Sequence, residues 1–116
     1  MGRVHPRQTL VRHRAALNAE LELATAAVVE VRRLRSNGFD DDEHDPDGDP
    51  LSAEWSRLES LRRTAELRIV AADEAISNLD AGHYGTCTVC GHTIAPGRLR
   101  ALPTATRCVS CADRRI

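Results

Sequence analysis

The chain has 116 residues, with 16 basic and 17 acidic side chains and a formal net charge of -1 at pH 7. That length holds one domain, or one small domain with an extension, and single Trp, Tyr and Phe residues exclude a large aromatic core. No apolar run approaches the length of a membrane span and nothing at the N-terminus reads as a secretory signal, so the expectation is a cytoplasmic protein without a membrane partner.

Residues 1–8, MGRVHPRQ, are basic and without periodicity, and fraying is the expectation there. From about Thr9 the apolar side chains recur at helical spacing as Leu10, Leu17, Leu21, Ala24, Val28 and Val31. Alternating steps of three, four and seven describe the narrow seam of a coiled coil rather than a broad globular face. Leu23, Val29 and Leu34 widen that stripe. The pair Asn37-Gly38 offers a left-handed stop, which predicts a helix over about 9–36.

Residues 37–49 break the pattern with Gly, Pro and Asp. Seven of the 17 acidic residues of the chain lie between Asp40 and Asp49, leaving the remainder net basic; every basic residue is Arg. A solvated, helix-capping turn is the simplest account of such a cluster, although seven neighbouring carboxylates exceed what capping needs and invite a basic or metallic partner. Glu43, Asp45, Asp47, Gly48 and Glu54 stand at the places of the ligands and turn glycine of an EF-hand calcium loop. Glu in place of Asp at the first position, Pro50 inside the loop, and flanking helices patterned to zip together argue against it.

Asp49-Pro50 makes a helix start, Asp as cap and Pro in the first turn. A second seam follows through Leu51, Trp55, Leu58, Ala65, Ile69, Ala72, Ile76 and Leu79, interrupted only by Arg62 and ended by Gly82. The predicted helix covers 50–81. Two helices of matched length, each about 45 Å at 1.5 Å per residue, joined by a short turn should pair antiparallel and bury seam against seam. Such a hairpin carries the acidic turn at the end remote from the last third of the chain.

That last third, 82–116, contains all four cysteines as two Cys-x-x-Cys pairs, Cys87 with Cys90 and Cys108 with Cys111. Two intervening residues let one tight turn aim both sulfurs at a single ion, and two such turns close a tetrahedron with no open position. The spacing therefore predicts one structural zinc ion held by four thiolates, with Gly91 supplying the positive φ that the first turn needs. So short a segment does not fold reliably without a metal or a cross-link. Two disulfides would need an oxidising compartment, and a redox Cys-x-x-Cys belongs with a βαβ pattern that is absent here. His83 or His92 could replace a sulfur, but four paired thiols make neither necessary.

The run Gly82-x-Tyr84-Gly85-x-Cys87-x-x-Cys90-Gly91-x-x-Ile94, continued by Arg98-Leu99-x-Ala101-x-Pro103-x-Ala105-x-x-Cys108-x-x-Cys111, resembles the zinc finger of the DksA/TraR family. The resemblance implies a non-enzymatic transcription regulator. Members of that family bind RNA polymerase directly, inserting a coiled-coil hairpin into its secondary channel with tip aspartates close to the active centre, often together with the alarmone ppGpp. The family tip reads Asp-x-x-Asp-x-Ala. Asp42 and Asp45 stand at that spacing, with Asp47 in the place of Ala, whereas an ungapped count back from Cys87 puts Asp47 and Asp49 near the tip positions. The candidate partner-binding residues are accordingly Asp41, Asp42, Asp45, Asp47 and Asp49. Five residues follow Cys111, and contacts made by a long C-terminal helix in larger relatives, including a share of a ppGpp site, are not carried over.

The overall expectation is a mostly α protein: an antiparallel two-helix coiled-coil hairpin over 1–81, followed by a small four-cysteine zinc finger over 82–116. Two other readings compete with a polymerase regulator. Arg98, Arg100, Arg107, Arg114 and Arg115 could sit on phosphates and make the finger a nucleic-acid module, though no recognition helix or stacking row accompanies them and sequence-specific DNA binding is not expected. Alternatively the hairpin is an interaction scaffold that dimerises through Leu23, Leu61 and Leu67.

Overall fold

Two long helices hold most of the protein in the computed structural model, which describes residues 5–38 and 50–113. Helix α1 spans Pro6–Gly38 and α2 spans Pro50–Asp80. Two short helices follow, α3 at Pro96–Ala101 and α4 at Val109–Asp113. Among the described residues the sole β feature is an isolated antiparallel bridge between Thr86 and Thr93. The acidic turn, with Asp41, Asp42, Asp45, Asp47 and Asp49, lies outside the described residues, as do Arg114 and Arg115.

α1 begins earlier than its apolar pattern. Pro6 occupies the first turn, where its missing N–H is no loss, and the Thr9 N–H donates to the His5 carbonyl at 3.1 Å. The expectation of fraying through residue 8 is thus corrected from Pro6 onward: a helix can start on polar residues before its buried seam begins. α1 also runs to Gly38, slightly past the predicted end, the usual uncertainty at a helix terminus. α2 starts at Pro50 as expected.

The contacts divide the chain into two units, one of residues 16–68 and one comprising 1–15 and 69–116. In the first, Val28 and Val31 of α1 and Leu58 of α2 form a buried cluster, with Ala27, Leu51 and Trp55 packed against it. Leu17 and Ala65 are buried too. Arg62, the polar interruption of the seam, is held on its own helix by Glu59 at 2.6 Å and Glu66 at 2.7 Å, so its charge is satisfied while its stem stays half-covered.

In the second unit Leu10 of α1 and Ala72 and Ala75 of α2 are buried. Arg14 pairs with Asp73 at 2.5 Å, and Arg7 pairs with Asp80. A step of seven residues forward on α1 matches seven backward on α2, which is the register of an antiparallel pair. These exposed ion pairs stabilise by only about 0–1 kcal/mol each; they report register more than they hold it.

One part of the seam reading fails. Leu23, Val29 and Leu34 do not widen the buried stripe but stand exposed. With one partner helix only a narrow strip of each helix is covered, so apolar residues flanking that strip remain in water. Ala75, which the pattern reading passed over, is buried instead.

Candidate metal centre

The segment that carries the cysteines starts with a sharp stop. Gly82 adopts φ +82°, its N–H reaches the Leu79 carbonyl at 3.0 Å, and the His83 N–H reaches the Asn78 carbonyl at 2.7 Å. This pair of bonds is the Schellman closure of a helix, and it needs the left-handed conformation that a side chain would strain. The chain leaves α2 in a defined direction and enters the first cysteine turn.

Local bonds build that turn. The Cys87 N–H donates to the His92 carbonyl at 2.8 Å and the Gly91 N–H to the Cys87 carbonyl at 3.0 Å, with Gly91 at φ +77°, as its place after the second cysteine predicts. The second pair is presented differently. Cys108 precedes α4 and Cys111 lies within it, and the Ala112 N–H donates to the Cys108 carbonyl at 2.9 Å. Each pair is thus a turn whose two sulfurs point the same way.

Bonds distant in sequence bring the turns together. The Thr88 N–H donates to the Thr106 carbonyl at 2.9 Å. The Tyr84 hydroxyl donates to the Pro103 carbonyl at 2.8 Å, and Arg98 Nε to the Arg107 carbonyl at 2.8 Å. Burial raises the Tyr84 phenol above its ordinary pKa, which keeps it a donor. Arg98, counted above among possible phosphate contacts, therefore spends its Nε–H on the fold.

The result is a cluster in which the sulfurs of Cys87, Cys90, Cys108 and Cys111 all lie within 4.8 Å of one another. No cysteine is in a disulfide. Cys90 Sγ and Cys108 Sγ are 3.8 Å apart. A tetrahedral zinc ion with bonds of about 2.3 Å has sulfur–sulfur edges of about 3.8 Å, so this separation fits an edge of a coordination tetrahedron. Cys87 and Cys111 are buried beside Ile94, with Leu99 and Cys108 packed on them, while Cys90 faces solvent. Neither His83 nor His92 belongs to the cluster.

The electrostatics favour a cation. Backbone N–H groups of Cys90 and Cys108 pull the Cys87 thiol below its ordinary pKa. The neighbouring Cys108 sulfur and burial push Cys111 above it, because adjacent thiols sharing one small space cannot all ionise unaided. Cys87, Cys90, Cys108 and Cys111 would hold an ion of charge +2 as thiolates, and its charge would offset that second effect.

Residues 82–115 match the family model of the prokaryotic dksA/traR C4-type zinc finger. Over that segment the chain carries a zinc finger of the DksA/TraR type. The four clustered cysteines of its finger accommodate one structural zinc ion. Among solved structures the chain is similar to transcription factor DksA2 from Pseudomonas aeruginosa, at 26% identity and a TM-score of 0.77, over 94% of this chain and 78% of that one. It also matches the DnaK suppressor protein from Agrobacterium tumefaciens C58 at 28% identity, over 83% of this chain and 90% of that one, with a TM-score of 0.42. No curated protein matches the chain. Paired long helices beside a DksA/TraR-type finger are thus a fold the chain shares with DksA2.

The motif that carries the family resemblance includes Tyr84, Arg98 and Pro103. Each takes part in a bond between separate segments of the finger: the Tyr84 hydroxyl donates to the Pro103 carbonyl, and Arg98 Nε donates to the Arg107 carbonyl. Nothing local signals such pairings, since their partners lie 19 and 9 residues away.

Proposed function

We propose that this protein is a transcription factor of the DksA/TraR type that binds RNA polymerase directly in the cytoplasm, by shape and charge rather than by catalysis. In this reading Cys87, Cys90, Cys108 and Cys111 ligate the zinc ion, which organises the finger of 82–116. The hairpin of 1–81 presents the acidic turn to the polymerase secondary channel, with Asp41, Asp42, Asp45, Asp47 and Asp49 as the candidate tip residues and ppGpp as a candidate co-regulator.

The observation that carries the reading is the likeness to DksA2, which extends over 94% of the chain and so includes the paired helices as well as the finger. The family match of the finger supports it independently. The acidic cluster supplies a negatively charged group of the kind that favours a basic or metal-containing site on a partner.

Two measurements test it. Zinc-loaded protein should retain core RNA polymerase in a pull-down at low salt. In vitro transcription should respond to the wild type and lose that response with the Asp42→Ala/Asp45→Ala/Asp47→Ala triple variant, which should still bind polymerase. Failure of the pull-down sinks the polymerase reading; equal activity of the two proteins reduces the acidic turn to a solvated cap.

A further inference from the structure

The Cys87 sulfur accepts hydrogen bonds from backbone N–H groups of both cysteine turns. Val89 and Cys90 donate from its own turn, and Cys108 donates from the other. The first two follow from the local geometry of a Cys-x-x-Cys turn. The third does not, because it needs the peptide ahead of Cys108 to be aimed across the centre.

One side chain fixes that aim. The Cys108 N–H and the Arg107 carbonyl belong to the same planar trans peptide, so they point in opposite directions. Whatever holds the carbonyl therefore sets where the N–H points. Arg98 Nε donates to that carbonyl at 2.8 Å. Arg98 is itself held in α3: its N–H reaches the Ala95 carbonyl at 3.0 Å and its carbonyl accepts the Leu102 N–H at 2.7 Å. Its neighbour Leu99 packs on the cluster of Cys87, Ile94 and Cys111. Arg98 is half-covered, whereas Arg100 and Arg107 are exposed. A guanidinium on the carbonyl also draws charge through the peptide and strengthens the N–H donor at its far side.

We propose that Arg98 is a positioning residue of the metal centre. It holds the Arg107–Cys108 peptide so that the Cys108 N–H stays on the Cys87 sulfur, and thereby sets how tightly the finger keeps its ion. Four thiolates around an ion of charge +2 make a site that is anionic overall, and N–H groups aimed at sulfur stabilise that excess. Groups behind the ligands change metal affinity by about 10–100-fold. The inference rests on Cys87, Cys90, Cys108 and Cys111 as the ligands and is independent of the polymerase reading.

Two variants of the full chain separate the hydrogen bond from the charge. Arg98→Met puts a carbon where Nε stands and keeps the stem; Arg98→Gln puts an amide N–H donor there without the charge. In competition with a chromophoric chelator, Arg98→Met should raise the zinc dissociation constant about tenfold or more, and Arg98→Gln should recover most of that loss. In the cobalt-loaded chain the sulfur-to-metal charge-transfer band of Arg98→Met should move to longer wavelength, because a sulfur relieved of a hydrogen bond gives up an electron more readily. Far-UV helix signal of the metal-loaded variants should match the wild type. An unchanged dissociation constant and band in Arg98→Met overturn the proposal. So does an Arg98→Gln chain as weak as Arg98→Met, which would leave Arg98 as a source of charge only. A wild-type cobalt spectrum without thiolate charge transfer overturns the ligand set and the role of Arg98 together, a failure distinct from the other two.

Discussion

Removal of the zinc ion should unfold the finger and leave most of the helical structure standing. The buried aliphatic core of the finger is small: Ile94 is buried, Leu99 partly so, and the remaining members of the cluster are cysteines. Burying two such side chains stabilises by about 3–6 kcal/mol in all. A structural zinc ion contributes about 10–16 kcal/mol in zinc-finger peptides at neutral pH. The ion therefore outweighs the apolar core, and the hydrogen bonds from Thr88, Tyr84 and Arg98 should be lost with it. The helical count separates the two parts. α1 and α2 hold 33 and 31 helical residues against 6 and 5 for α3 and α4, so loss of both short helices removes about one-seventh of the helical signal. Chelator titration followed by circular dichroism should show that modest drop, and limited trypsin digestion should gain cleavage after Arg98, Arg100 and Arg107. Refutation would be an apo chain with unchanged tryptic resistance in that segment, or one whose helix signal collapses entirely on chelation.

Three further outcomes are expected from substitutions read by urea denaturation. Gly82→Ala should cost about 1–2 kcal/mol, because Gly82 holds φ +82° with open space around it. Gly97→Ala, inside α3 with no contact closer than 3.7 Å, should instead be stabilising by about 0.4–1 kcal/mol. Leu58→Ala should cost about 2–5 kcal/mol by opening a cavity at the Val28–Val31 cluster, whereas Leu67→Ala, on an exposed side chain, should change stability by less than about 0.5 kcal/mol. Arg62 holds the Glu59 carboxyl below its ordinary value of 4.5. Its contribution is therefore complete above that value and lost as pH falls through the lowered one. Glu59→Gln should weaken the protein at neutral pH and narrow its difference in stability between pH 7 and pH 3; an unchanged pH profile would remove the Arg62 contact from the account.

Local chemistry made much of this protein legible from its residues alone. Two Cys-x-x-Cys pairs and a following glycine specify metal turns because ligand spacing and positive φ are properties of a few adjacent residues. Pro50 and Gly82 mark the start and stop of α2 for the same reason, and a heptad-like recurrence of Leu, Val and Ala marks helices that pair. The periodic pattern could not say how wide the covered strip would be. Leu23, Val29 and Leu34 share apolar character with Leu17 and Val28, yet only the position of the second helix decides which of them leaves water. Pro6 joined α1 without any apolar signal, since the first turn of a helix needs capping geometry rather than burial. The closing bonds of the finger, Tyr84 to Pro103, Thr88 to Thr106 and Arg98 to Arg107, are products of tertiary structure alone. Their partners are remote in sequence, and a carbonyl oxygen carries no residue-specific mark. The gathering of four sulfurs within 4.8 Å belongs to both levels: spacing within each pair is local, while the meeting of the pairs depends on those long-range bonds.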